Sequence, residues 1–247
     1  LVVGFSEEDK EKLIAMKEQG EKNGVKGLEI IGKDKIKEIE PNIDGEFAMW
    51  SKTTGILNPF LLTIALAENA AANGAEYYFG NEVIDIKRVD DIYNIKTKKD
   101  TYKARWVVNA AGLYSDKISK MIGIDDYTIH PCRGEYFILD EKVGSKLSLP
   151  AYPVPNPKEG GLGIHLTPTI DGNVFIGPSS EYIDERDDYS ATQKLMDLLI
   201  KDGGRIFPHI RRDDFIRNFA GIRPKLASKE EGGYHDFVIE MRDKSPN

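Results

Sequence analysis

The sequence of 247 residues contains a single cysteine, Cys132. One cysteine excludes both an intramolecular disulfide and a cysteine-based zinc site, since each needs at least two thiols. The four histidines are not at metal-ligand spacings, so we predict no metal. A sequence without disulfides is typical of a reducing compartment, and we expect a cytoplasmic location.

Long apolar runs and excess positive charge are also missing. No run of about 18 apolar residues occurs, so no transmembrane segment is predicted, and no signal peptide is visible. Lys and Arg number 34 against 41 Asp and Glu, a net charge of −7. Nucleic-acid binding without sequence preference needs clustered positive charge, and we predict no nucleic-acid partner.

The composition is that of a folded protein, with 40% hydrophobic and 30% charged residues. This length suits one large domain or two small interleaved ones. The chain opens without Met and closes at Asn247, soon after the strand-like Phe237–Met241. We read these ends as those of a piece excised from a longer protein.

The first half of the chain alternates helices with strands. Ser6 is a predicted N-cap, and Asn58 followed by Pro59 begins an Ala-rich helix that we expect to pack against strands. Three strand candidates between residues 82 and 104 predict a meander. The wholly apolar Trp106–Val108 predicts a strand buried on both faces, and Ser115 or Asp116 is expected to cap the next helix.

The second half indicates antiparallel strands. Tyr136–Leu139 is strand-like, and Leu162–Leu166 and Val174–Ile176 flank an Asp-Gly turn that predicts a hairpin. A helix is expected over residues 191–200. The predicted fold class is α/β, with a mixed, largely antiparallel sheet.

Small residues follow the predicted strand at Trp106–Val108, namely Ala110, Ala111 and Gly112. At the carboxyl edge of a strand, small residues let a bulky ligand approach the backbone. Ordinary strand–helix packing gives the same pattern and is the more common cause of it. On this segment alone both interpretations remain open.

His165 is the best candidate for a general base. Strand alternation places it with Gly163 and Thr167, opposite the apolar Leu162, Ile164 and Leu166. A histidine with open space beside it suits proton abstraction, although a hydrogen-bonded structural histidine fits the same spacing.

Two arginines beside glycines are candidate anion clamps, because a guanidinium binds carboxylate or phosphate through two hydrogen bonds. They are Arg133, before Gly134, and Arg223, after Gly221. Solvated surface arginines are the simpler alternative. Tyr152 is a further candidate for ligand binding, with packing against its neighbouring prolines as the alternative.

Taken in order, several motifs resemble the L-2-hydroxyglutarate dehydrogenase/oxidase family of the D-amino-acid-oxidase superfamily. This FAD-dependent superfamily also holds glycerol-3-phosphate dehydrogenase and the D-amino-acid and glycine oxidases. The motifs are Thr54–Leu57, Val107–Asp116 (VVNAAGLYSD), His130–Tyr136 (HPCRGEY), Tyr152–Pro155, Gly161–Pro168 (GLGIHLTP), Asp171–Pro178 and Phe219–Pro224 (FAGIRP).

The resemblance implies a partial Rossmann-like FAD-binding domain and a substrate domain that the chain visits more than once. Residues 1–56 and 125–218 are expected in the substrate domain, 57–124 in the FAD-binding domain, and 219–247 in a segment returning to it. It further implies that FAD contacts Val83, Ala110, Ala111 and Gly112. His165, Arg133, Tyr152 and Arg223 would face a small anionic substrate.

Two of the family's segments are missing from the sequence, the N-terminal G-x-G-x-x-G and a glycine-rich C-terminal segment. Pyrophosphate binds at the turn and helix that follow the first strand. We therefore expect this chain alone to bind FAD weakly or not at all.

The implied reaction is oxidation of a CH–OH group with FAD as hydride acceptor. L-2-hydroxyglutarate is the leading substrate, glycerol 3-phosphate the second and a secondary amino acid the third. The electron acceptor is left open among oxygen, a quinone and an electron-transfer protein, and peripheral association with the inner face of a membrane is allowed. The rival of another class is a non-catalytic interaction module.

Overall fold

The computed structural model describes residues 1–156, 163–233 and 235–242. It contains twelve strands and six helices within those ranges. In chain order they are β1 (Val2–Gly4), α1 (Glu7–Lys22), β2 (Leu28–Gly32), α2 (Lys33–Ile39), β3 (Phe47–Ser51), α3 (Pro59–Ala72), β4 (Val83–Val89), β5 (Ile92–Thr97), β6 (Thr101–Ala104), α4 (Ser115–Met121), β7 (His130–Leu139), α5 (Glu141–Gly144), β8 (Tyr152–Pro153), β9 (His165–Pro168), β10 (Val174–Gly177), β11 (Glu181–Tyr182), α6 (Met196–Ile206) and β12 (Phe215–Lys225).

The strands form three sheets. The first has the order β2-β3-β1-β8 and is mixed, because β8 runs parallel to β1. The second is antiparallel and five-stranded, with the order β11-β7-β10-β9 and β12 along the other edge of β7. The third is the meander β4-β5-β6. The predicted α/β class with a mixed, largely antiparallel sheet is confirmed.

One hydrophobic core joins the first two sheets. Fully buried side chains from both sheets meet α2 and α6, among them Val3, Ile36, Leu166 and Ile206. None of the buried residues in this core comes from residues 57–124. The five-stranded sheet therefore rests on a packed layer, while the meander and α3 lie outside it.

Local signals placed most elements correctly. The Ser6 hydroxyl accepts a hydrogen bond from the Asp9 amide at the start of α1. The Asn58 side chain accepts from Phe60 and Leu61 at the start of α3. The meander and the hairpin of β9 and β10 form as expected. Of the predicted strand Leu162–Leu166, Leu162 lies outside the described residues.

Three predictions about packing and capping were wrong. Trp106–Val108 is not a strand, and the three side chains are 68%, 36% and 89% exposed. No residue of α3 is buried, so the helix does not pack on a sheet in this structure. Asp116 lies inside α4, and no side chain caps that helix. The carboxylate of Asp116 is instead occupied by an arginine described below.

Two further boundaries differ from the sequence reading. The helix expected over residues 191–200 begins later and runs from Met196 to Ile206. Phe237–Met241 forms no strand. The division into domains remains a prediction, and β12 continues without interruption from Phe215 to Lys225 across the proposed boundary at residue 219. No helix in the described part of the chain is long and apolar enough to cross a membrane.

Candidate active site

The register of the five-stranded sheet separates its side chains into two faces. His165 opposes Gly177, and Phe219 opposes Tyr136 in the neighbouring strands. Their immediate neighbours Leu166, Ile176 and Phe137 point the other way, into the core. We call the side of His165, Tyr136 and Phe219 the open face and the opposite side the core face.

His165 is held on the open face with a defined proton position. The residue is 9% exposed, and Nδ1 of its ring lies 3.1 Å from the Gly163 carbonyl oxygen. A carbonyl can only accept, so Nδ1 carries the hydrogen and the neutral ring presents its lone pair at Nε2. No described residue forms a hydrogen bond with Nε2.

The surroundings of His165 keep it neutral. Burial lowers its pKa, the hydrogen bond to Gly163 raises it, and the positive charge of Arg223 lowers it. The ring therefore remains an available proton acceptor below the pH at which an exposed histidine would be protonated.

Tyr152 packs directly against this histidine. An antiparallel bridge between Ala151 and Leu166 brings β8 beside β9, and the rings of Tyr152 and His165 stack with centroids 4.3 Å apart. Gly163 has a φ of +72°, and a Cβ there would lie 2.6 Å from Pro153. Glycine at this position permits the chain path that aims the Gly163 carbonyl at the histidine.

Arg223 reaches across the open face from β12. Its Nη2 donates to the Ser179 carbonyl at 3.0 Å and lies 4.0 Å from the Cys132 sulfur. The absence of a side chain at Gly134 leaves room for it, because a Cβ there would be 3.4 Å from Nη2. Arg223 forms no ion pair with any described carboxylate, and its buried Nε has no partner. The guanidinium is thus free to bind an anion.

Arg133 differs from Arg223 in the face it occupies and in its ion pairs. It lies on the core face of β7, 8% exposed, and pairs with Glu181 at 2.7 Å and with Asp188. Ser190 accepts a further hydrogen bond at 2.6 Å. Two carboxylates already neutralise its charge. Its buried Nε is nevertheless unpartnered, and both arginines border a cavity of about 540 Å³.

The structure thus brings three of the four predicted substrate residues together on one face, namely His165, Tyr152 and Arg223, and places Arg133 on the other. Sequence reasoning missed Tyr136, Phe175 and Phe219. Their rings meet on the open face, with centroid distances of 5.3 Å for Tyr136–Phe219 and Phe175–Phe219 and 6.5 Å for Tyr136–Phe175. These side chains come from three strands, and only the register shows that they are neighbours.

The predicted FAD contacts lie in the other part of the molecule. Ala110, Ala111 and Gly112 are exposed, and Gly112 has a φ of +56° with no atom within 4 Å of a built Cβ. The Asn109 side chain donates to Ser115 and Ser119, which holds this turn at the start of α4. Val83 opens β4. An accessible, glycine-containing backbone fits one side of a flavin nucleotide, although a phosphate-binding G-x-G-x-x-G is missing from the sequence.

A buried ion pair links this turn to the loop beside the five-stranded sheet. Arg186 donates to both oxygens of Asp116, at 2.6 and 2.8 Å, and also to the carbonyls of Leu113 and Ile129. The Arg186 hydrogen bonds hold the pKa of Asp116 down at about 2, assisted by amide donors from Ile129 and Lys117. Asp188, two residues further along, pairs with Arg133, so one loop contacts both regions.

The chain matches the model of the FAD dependent oxidoreductase (DAO) family across residues 1–245. The chain belongs to this family. Glycerol 3-phosphate dehydrogenase of Caloramator mitchellensis is 38% identical over 97% of this chain and 49% of the relative. Mitochondrial L-2-hydroxyglutarate dehydrogenase of Nematostella vectensis is 32% identical over 97% of this chain and 63% of the relative.

Solved structures agree with this family fold. L-alpha-glycerophosphate oxidase from Mycoplasma pneumoniae, solved with FAD bound, gives a TM-score of 0.83 at 26% identity, covering 99% of this chain and 64% of that one. The chain thus spans from about half to two thirds of the length of these relatives. The resemblance inferred from the ordered motifs is confirmed at family level.

Proposed function

We propose that this chain supplies the substrate face of an FAD-dependent enzyme that oxidises the CH–OH group of a small anionic substrate. The leading candidate is L-2-hydroxyglutarate or a similar 2-hydroxy acid. One observation carries the proposal: a neutral histidine with an available Nε2 and a guanidinium without a carboxylate partner share the open face of one sheet.

His165 is the proposed base. Oxidation of an alcohol releases a hydroxyl proton together with a hydride, and bound FAD supplies the hydride acceptor. Nε2 of His165 accepts the hydroxyl proton, while the Gly163 carbonyl holds the hydrogen on Nδ1 and the ring stays in position against Tyr152. Charging the ring costs more in a buried site, which favours later release of the proton.

Arg223 is the proposed anion clamp. Its guanidinium has no ion pair with a described carboxylate, so it can bind a carboxylate or phosphate through charge-assisted hydrogen bonds and fix the hydroxyl carbon relative to His165. Tyr152 would close one side of the site. Arg133 remains a candidate through its unpartnered Nε, but its two ion pairs favour a role in holding the loop of Glu181 and Asp188.

Glycerol 3-phosphate is the second candidate. The relative from Caloramator mitchellensis that carries this name is 38% identical, and the Mycoplasma oxidase shares the fold at a TM-score of 0.83. A single free guanidinium suits one phosphate as well as one carboxylate. Steady-state assays of the FAD-containing protein with each substrate and an artificial electron acceptor separate the two. If the protein oxidised neither substrate, the proposed function would be refuted.

Replacing the base gives the decisive test of the mechanism. In His165→Ala we expect kcat to fall by about 10²–10⁴-fold, the range for general base catalysis, with flavin absorbance retained. The control is His209→Ala, since His209 is exposed and lies away from the open face. Unchanged turnover in His165→Ala would remove it from the mechanism.

The pH profile gives a second readout of the same assignment. Because burial lowers the pKa of His165, the apparent pKa of the acidic limb of the kcat/KM profile should lie below the ordinary histidine value of about 6.5. That limb should disappear in His165→Ala. A limb at the same pH in both proteins would assign the titration to another group.

A further inference from the structure

Tyr136 occupies the centre of the open face. It lies in the middle of β7 and opposes Phe219. Its ring meets the His165 ring edge-on, with centroids 6.4 Å apart. Gly177 lies opposite His165 in the neighbouring strand and has no side chain that would separate the two rings. A Cβ on Gly177 would lie 2.9 Å from the Tyr136 ring, so glycine there lets the tyrosine approach the histidine.

The ring of Tyr136 is fixed by its neighbours. It stacks on Phe219 with an interplanar angle of 7°, and Phe175 packs at an angle against it. A ring fixed on several sides holds its hydroxyl in one direction without further loss of rotamer freedom on binding.

The Tyr136 hydroxyl is uncommitted. It forms no hydrogen bond with any described residue, and its oxygen is not sealed inside the protein. By contrast, the hydroxyl of Tyr182 on the same sheet donates to the Ala227 carbonyl at 3.1 Å. A half-buried phenol without an internal partner is available to a ligand.

Arg223 lies on the same face as this hydroxyl, and its charge acts on the phenol. Arg223 crosses β7 above Gly134, two residues before Tyr136 and on the same face. Burial raises the pKa of Tyr136, and the Arg223 charge opposes that change. The phenol therefore stays protonated, and its hydroxyl can donate a hydrogen bond to a bound anion.

We propose that the Tyr136 hydroxyl donates a hydrogen bond to the same anionic substrate group that Arg223 binds, making Tyr136 a further substrate-binding residue. This inference rests on the proposed function. It assigns to the open face a two-donor clamp, one charged and one neutral, on the side of the substrate away from the oxidised carbon.

The test is Tyr136→Phe in the FAD-containing enzyme, assayed with whichever substrate the unaltered enzyme oxidises. Because phenylalanine keeps the ring contacts, we expect normal flavin content and melting temperature. KM should rise about 10- to 100-fold, the effect of losing a hydrogen bond to a charged group, with kcat within about threefold. The Ki of glutarate or propyl phosphate, which lack the reacting hydroxyl, should rise by the same factor.

Tyr182→Phe is the matched control and should leave KM and Ki unchanged. In an Arg223→Met background, Tyr136→Phe should have little further effect on Ki, because the two side chains bind one group. Unchanged KM and Ki in Tyr136→Phe, or a fall in kcat alone, would overturn the inference while leaving the proposed function standing. If the unaltered enzyme oxidises neither substrate, both are overturned.

Discussion

Residues 57–124 and the five-stranded sheet contain similarly apolar sequence but bury it to very different extents. Leu166 of β9 is 0% exposed, whereas Leu62 and Leu66 of α3 are 46% and 60% exposed. Apart from Trp106–Val108, both regions form the helices and strands that their local sequence predicts. Local signals thus located α3, but the helix contributes no buried residue to a core, and most of a helix's stability in proteins comes from such packing.

The sharpest way to test this contrast is a pair of matched truncations in the 247-residue chain. Leu166→Ala should lower the free energy of unfolding by about 2–5 kcal/mol, since it removes a fully buried side chain. Leu62→Ala should change it by less than about 0.5 kcal/mol. Urea unfolding followed by circular dichroism measures both. Equal losses would show that α3 packs as tightly as the sheet.

The ion pair between Asp116 and Arg186 tests how the two regions are joined. The pKa of Asp116 is held at about 2, below its ordinary value, so its contribution to stability is present above about pH 4 and is lost as the pH falls to about 2. Asp116→Asn should cost about 2–3 kcal/mol at neutral pH and flatten the acid limb of the stability profile. Unfolding at a series of pH values measures this.

Asp126→Asn is the control for that experiment, because its pair with Arg242 is exposed and should contribute little. An acid limb of the same depth in Asp116→Asn and the parent protein would assign acid sensitivity to other carboxylates.

The smallest effect is expected from the two helix caps. Ser6→Ala removes the cap of α1, which is anchored by the fully buried Leu13, and should lower global stability by about 1 kcal/mol. Asn58→Ala removes the cap of the unpacked α3 and should increase amide exchange in its first turn without shifting global unfolding. Hydrogen exchange and thermal melting together distinguish the outcomes. A shift of the melting temperature in both would contradict the contrast.

Most of the fold could be read from local sequence. Asn58 followed by Pro59 located the start of α3, and the alternation around His165 placed that residue opposite the apolar Leu166. The prediction of a buried strand at Trp106–Val108 was wrong, because such a strand needs neighbouring strands that its own sequence does not encode. The prediction that the chain alone binds FAD weakly awaits equilibrium dialysis.

The candidate site was predictable in part. The chemistry of histidine and arginine made His165 and Arg223 candidates from the sequence, and both lie on the open face together with Tyr152. Tyr136 gave no comparable signal, because its importance comes from pairing with Phe219 far along the chain. For Arg133 the sequence suggested an anion clamp, but it could not show that Glu181 and Asp188 already pair with the guanidinium.

The hydrogen bond from His165 to the Gly163 carbonyl has a consequence for how this site can change. The group that selects the tautomer is a main-chain atom, so no substitution of a neighbouring side chain can delete it. A mutation that bends the backbone at Gly163, where a Cβ would collide with Pro153, could nevertheless reverse the roles of the two ring nitrogens. Gly163 is therefore the neighbour of the proposed base at which a substitution should matter most, although it has no side chain.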